Sequence, residues 1–308
     1  MFFVSFAKDF IQPLSYKPMA DSSANKISRF AANLGASAKT CVKLAFSARK
    51  ARLPKAGSTE LPLVVLGNGP SLRQNLADDM PVLKMLPCMA VNFFANASEF
   101  RTVRPRYYVL ADPHFFDNAT TDGNVARLID NIRAADWEMH LLIPAQAKGA
   151  ARLFDGCKVS VGRFNFLAAE GFRWLENLAF RHNWAMPRPR NVLIPALMCS
   201  LAMGYKTIYV LGADHSWLKT LAVSDENTVV SVQPHFYGDD AREKARVNSV
   251  YKGIKLHSVL ESMMIAFRSY HIIERYAARC GASIINATPD SMIDAFRRGK
   301  LPNPKSQE

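Results

Sequence analysis

The chain has 308 residues, 49% of them hydrophobic, enough for one large core and too many for a disordered polymer. No apolar run nears the roughly 20 residues that cross a bilayer. Five scattered cysteines (Cys41, Cys88, Cys157, Cys199, Cys280) have neither metal-finger nor redox spacing, which points to a reducing, cytoplasmic setting. The net charge of +13 is uneven, since residues 1–60 hold ten Lys or Arg against Asp9, Asp21 and Glu60; no zinc spacing, aromatic RNA-binding signature or basic zipper accompanies it, so nucleic acid is not an expected partner.

Residues 1–7 are apolar but lack the basic start and small-residue cleavage site of a secretory signal. From about residue 24 to 51 a helical period runs through Ile27, Phe30, Leu34, Ala38, Cys41, Leu44 and Ala48, with Lys39, Lys43, Arg49, Lys50 and Arg52 on a basic side. Such a helix suits an anionic membrane surface at the inner face of the cell membrane. It equally suits packing on its own domain or on a partner subunit of a homo-oligomer, and its acid-poor, Ser-containing composition fits a transit peptide. Residues 54–61 read as a linker. Residues 1–60 are thus expected to form a basic helical extension and residues 61–308 the main domain.

Apolar strands are predicted at 63–66, 89–91, 107–110, 139–143, 207–211 and 283–286. Helical periods fill 122–135, 168–180, 195–203 and 256–280, and the last two stop at Gly204 and Gly281. This alternation predicts an α/β fold, a single Rossmann-like domain with a mostly parallel sheet flanked by helices. Residues 215–253 interrupt it. They are polar and charged and too long for a plain connection, as a lid segment is.

Four polar clusters follow predicted strands: Gly67-Asn68-Gly69-Pro70-Ser71, Asn92, Asp112-Pro113, and Gly212-Ala213-Asp214. In a parallel sheet these strand ends share one edge, where open α/β sheets bind nucleotides. Glycine lets a backbone approach a ligand closely, and Pro70 fits a first helical turn. Asp112 and Asp214 suit turns and helix caps, ribose or base donors, or Mg²⁺. His235 lies in a polar loop beside Tyr237 and Gly238, as a general base would; His114 is a weaker candidate, and His271 falls mid-helix, as a structural histidine does.

In this order the clusters resemble the bacterial glycosyltransferase family 42 sialyltransferases and their uncharacterised relatives, over residues 62–299. Gly67-Asn68-Gly69-Pro70-Ser71-Leu72 is similar to the family's first nucleotide loop, Asn92 to its donor-binding Asn, Asp112 to a position usually Asn, and Gly212-Ala213-Asp214 to a Gly-x-Asp bordering the cytidine. His235-Phe236-Tyr237-Gly238 resembles the lid segment bearing the general-base histidine, and residues 286–291 the terminal strand and its polar turn. The resemblance implies a GT-A-variant fold and an inverting, metal-independent transfer of a sialic-acid-like sugar from a CMP donor to a glycan hydroxyl, with no further cofactor. Tyr237, Lys219, His215 and Arg242 are the candidates for the departing phosphate.

Two departures stand out. The family's Thr-Ser-Gly is replaced by Leu193-Ile194-Pro195, leaving Asn191 to substitute or not. The phosphate-binding tyrosines after Gly-x-Asp are replaced by His215, Ser216, Trp217 and Lys219. Other readings of the same residues are an archaeal-type pterin diphosphokinase using ATP and Mg²⁺, for which Asp112 and Asp214 suit a metal, and a non-catalytic glycan- or partner-binding protein of the same fold.

Overall fold

A computed structural model of the chain describes residues 23–56, 59–117, 119, 121–230 and 253–302, with side chains from Lys26 onward. The elements in chain order are α1 (Ser23–Ser47), β1 (Leu63–Leu66), α2 (Leu72–Asp78), α3 (Met80–Met85), β2 (Cys88–Val91), α4 (Phe100–Val103), β3 (Tyr107–Val109), α5 (His114–Asp117), α6 (Gly123–Arg133), β4 (His140–Pro144) and β5 (Ser160–Phe164). They continue with α7 (Arg173–Arg181), α8 (Leu193–Ala202), β6 (Thr207–Leu211), β7 (Ala222–Val223), β8 (Val229–Val230), α9 (Leu256–Arg279), β9 (Ser283–Asn286) and β10 (Arg297–Arg298).

Eight strands form one sheet in the order β10-β9-β6-β1-β2-β3-β4-β5, and every pairing in it is parallel. The central strands are apolar along their length because helices cover both faces of a doubly wound sheet: β1 reads Leu-Val-Val-Leu and all four residues are buried. The helix α8 reads Leu-Ile-Pro-Ala-Leu-Met-Cys-Ser-Leu-Ala. It is apolar on every side and buried accordingly, packed on β1 and β2, and α9 closes over it and β9. From β1 the chain adds β2 to β5 in one direction, then returns to place β6, β9 and β10 on the other side of β1. The direction of winding therefore reverses between β1 and β6, with Leu66 opposite Leu211.

The basic segment differs from its expected form. The helix α1 ends at Ser47 rather than near residue 51. It docks by two hydroxyls: Thr40 Oγ1 donates to the Glu170 carbonyl (2.8 Å) and accepts from Glu170 N (3.0 Å), and Ser37 Oγ accepts from Phe172 N (2.9 Å). The chain after it pairs with the sheet edge, since Arg52 and Arg163 exchange two backbone hydrogen bonds of 2.8 Å. Asn165 fastens the same stretch by accepting from Arg49 N and donating to the Arg49 carbonyl. No helix among the described residues is long and apolar enough to cross a membrane.

Candidate functional site

Because the eight strands of the main sheet run in parallel, their carboxyl ends form one rim, and β6, β1, β2 and β3 are neighbours along it. The turns that follow them carry Gly212–Asp214, Gly67–Ser71, Asn92 and Asp112 respectively. The two glycine turns flank the winding reversal, where α/β sheets open their ligand crevice.

These turns are joined to each other. Gly67 N donates to the Leu211 carbonyl and Gly69 N to the Gly212 carbonyl, each at 2.8 Å. A Cβ on Gly67 would stand 2.5 Å from Gly212 O, and one on Gly69 would stand 2.0 Å from Asp214 Oδ2; Gly212 itself sits at φ +61°, a left-handed conformation. Ser71 donates twice to the Asp214 carboxylate, from N (3.1 Å) and from Oγ (2.8 Å). Burial raises the Asp214 pKa, and the two Ser71 hydrogen bonds oppose that shift. The first task of Gly67, Gly69, Ser71, Gly212 and Asp214 is therefore to close one turn on the other. Gly69→Ala forces the Asp214 carboxylate and the Gly212 backbone apart. The expected cost is about 1–3 kcal/mol of unfolding free energy, read from urea denaturation; an unchanged midpoint would contradict this packing.

The terminal segment braces the same turn from behind. Thr288 Oγ1 accepts from Ala213 N and donates to the Val210 carbonyl. Ser291 Oγ donates to the Ala213 carbonyl and accepts from Asn286 Nδ2.

On the other side of β1, Asn68 Nδ2 donates to the Val91 carbonyl at 3.0 Å, tying the first glycine turn to the end of β2. The next residue, Asn92, sits at φ +51°. The buried Tyr108 hydroxyl holds it there by donating to the Asn92 carbonyl while accepting from Ala95 N (2.8 Å). Nothing in the spacing of the sequence marks Tyr108 as more than core. Tyr108→Phe strands a buried N–H and a buried carbonyl, an expected loss of about 1–3 kcal/mol measurable by thermal melting. A loss as small as that of an exposed Tyr→Phe change would remove it from the site's support.

Asp112 is buried at the end of β3, and its Oδ1 accepts from His114 N at 2.9 Å. His114 in turn lies 3.2 Å from the Asp122 carboxylate, which also caps α6. Two buried oxygens at these neighbouring strand ends, Asn92 Oδ1 and Asp112 Oδ2, have no hydrogen-bond partner among the described residues. Asn191, just before α8, presents a buried donor instead. Its Oδ1 accepts from Leu193 N (3.1 Å), Ile194 N (3.4 Å) and the Tyr270 hydroxyl (3.0 Å), whereas its Nδ2 is buried with no partner among the described residues. No three His, Cys, Asp or Glu side chains among the described residues converge on a common point.

His215 occupies an aromatic cage of Trp217, Phe267 and Tyr270, at φ +54°. Tyr270 gives its one proton to Asn191, so its oxygen accepts from His215 Nε2–H at 2.7 Å. Burial pushes the His215 pKa down to about 3, leaving the ring neutral at ordinary pH. A cationic role for His215 on a departing phosphate does not fit that environment. Lys219 is exposed, in the short turn Ser216–Thr220 before the β7–β8 hairpin. His271 lies on α9 with its Nε2 3.1 Å from Asp294. His235, Tyr237 and Arg242 lie outside the described residues, as does the 231–252 part of the expected lid.

No protein-family profile matches the chain, and no curated protein matches it in sequence. A comparison of folds finds the MAf glycosyltransferase from Magnetospirillum magneticum AMB-1 at a TM-score of 0.46 and 11% identity, over 87% of this chain. The chain spans 38% of that protein's length.

Proposed function

We propose that the chain is a glycosyltransferase that holds a nucleotide sugar on the rim between β6 and β3. The finer reading is an inverting transfer of a sialic-acid-like sugar from CMP to a glycan hydroxyl, without a metal. What supports it most is the pair of buried, unpartnered oxygens, Asn92 Oδ1 and Asp112 Oδ2, at adjacent strand ends beside the winding reversal. Buried acceptors without donors are costly, and a ligand that brings donors to two of them on adjacent strand ends removes that cost. Ribose hydroxyls and an exocyclic amine are donors of that kind. Asn191 Nδ2, the buried donor, suits an acceptor oxygen of base or phosphate.

In this reading the acceptor oxygen attacks the anomeric carbon while the bond to the phosphate oxygen breaks and its electron pair leaves with CMP. His235 takes the hydroxyl proton, and Lys219, Tyr237 and Arg242 are candidates to meet the charge on the phosphate. The joined glycine turns, with Ser71 and Asp214, fix the nucleotide's position so that the sugar faces the acceptor.

Calorimetry with CMP, and separately with ATP and Mg²⁺, tests the reading. The expected result is CMP binding that Asp112→Ala weakens at least about tenfold, the loss of one hydrogen bond to a charged acceptor. Binding of ATP only in the presence of Mg²⁺, with no response to CMP, would overturn it in favour of a diphosphokinase.

A further inference from the structure

We infer that the chain docks on an anionic lipid surface through a face made by the apolar stripe of α1 and the arginine-lined cleft between α7 and α9. The stripe is the first observation. Ile27 is 72% exposed and Phe30 59%, and Leu34, Ala38 and Val42 continue the same side of the helix. The helix meets its own domain with Ser37, Thr40, Leu44 and one side of the Phe30 ring, which leaves most of this stripe in solvent. An amphipathic helix that leaves Ile27, Leu34 and Val42 more than half exposed has an apolar face ready for a further contact.

The second observation adjoins the first. The Phe30 ring packs 5.3 Å from Phe172, the residue that precedes α7, and Ser37 bonds to Phe172 N. Two residues further on, Trp174 is 66% exposed. From there α7 and α9 border a cleft of about 990 Å³, with Trp174, Leu178, Ile272 and Tyr276 among its lining. Four arginines flank it, Arg173 and Arg181 from α7 and Arg275 and Arg279 from α9. All four are exposed, and among the described residues none makes an ion pair. The acid of the lining is Glu176, whose pKa burial raises against the pull of Arg275. The cleft is thus strongly cationic with an aromatic, apolar interior.

Its position separates it from the nucleotide rim. The α9 residues that line it belong to the end of the helix that leads into the start of β9. The cleft therefore lies toward the amino ends of the strands, away from Asn92 and Asp112, and the inference stands whether or not the transferase reading does. A second copy of the chain is a poor occupant, because a two-fold contact sets this arginine cluster against itself. Lipid suits both halves. An indole and bulky aliphatic side chains settle at headgroup depth, and guanidiniums pair with phosphates.

Cosedimentation of the whole chain with vesicles is the test, using phosphatidylcholine alone and phosphatidylcholine mixed with phosphatidylglycerol. Binding is expected only to the anionic vesicles and weakens with salt. The double variant R181E/R279E lowers the partition at least about 30-fold, two surface charges' worth, and Phe30→Ser lowers it further. Wild-type tryptophan emission shifts to the blue on anionic vesicles, and Trp174→Phe removes part of that shift; this readout and the salt dependence decide the matter if R181E/R279E does not fold. Equal sedimentation with both vesicles, sedimentation with neither, or undiminished binding by folded R181E/R279E overturns the inference. So does a concentration-dependent dimer that Phe30→Ser dissociates, which assigns the stripe to a second copy.

Discussion

On acidification from about pH 6 to pH 3 the wild-type chain is expected to lose roughly 1.4 kcal/mol more stability per pH unit than His215→Gln does. The sign follows from the His215 site. Burial in the Trp217, Phe267 and Tyr270 cage lowers its folded pKa to about 3, whereas the unfolded chain takes up a proton near pH 6.5. Between those values the unfolded state binds more protons than the folded one. Stability is therefore fully present above about pH 6.5 and falls as the pH drops toward 3. Gln keeps a donor for the Tyr270 oxygen but has no proton to gain. Carboxylates contribute to the acid slope of both proteins, so the difference between their urea-denaturation curves across pH isolates the imidazole. Parallel curves would mean that His215 reaches solvent. Loss of this packing also loosens Asn191, since Tyr270 joins the two residues.

On the proposed transferase reading, His235→Ala is expected to reduce transfer by at least about 10²-fold while leaving donor affinity nearly unchanged. A general base acts on the acceptor hydroxyl as the bond forms, so its removal appears in turnover rather than in nucleotide binding. A base accepts a proton only in its unprotonated form, so the wild-type rate rises with pH to a plateau and the variant loses the rise. Turnover close to wild type, or a pH profile that survives the substitution, would remove His235 from the reaction.

Much of the frame was legible in the residues. Short apolar runs such as Leu63–Leu66 and Thr207–Leu211, each ending in glycine, mark buried parallel strands, and the polar residues after them fall on one rim because every neighbouring strand points the same way. The edges were not legible. The strand β5 holds a glycine and an arginine, and β10 is two arginines, so neither carries an apolar period. Periodicity finds an amphipathic helix at α1 but does not say which face docks, because that depends on what Glu170 and Phe172 offer it. At the rim the glycines do signal close backbone approach, yet the nearest backbone is that of the facing turn. The cage around His215 draws on residues from 215 to 270, a separation that local spacing does not reveal.

The pairing of β1 with β6 also bears on synthesis. Its two strands lie roughly 145 residues apart, so at ordinary elongation rates β6 leaves the ribosome about 7–30 s after β1. Throughout that interval Leu-Val-Val-Leu has one hydrogen-bonding side uncapped, a sticky template for neighbouring nascent chains. Fragments that stop short of Thr207 keep it permanently and should precipitate, so shortening this protein from its C-terminal side is a poor route to a soluble half-domain.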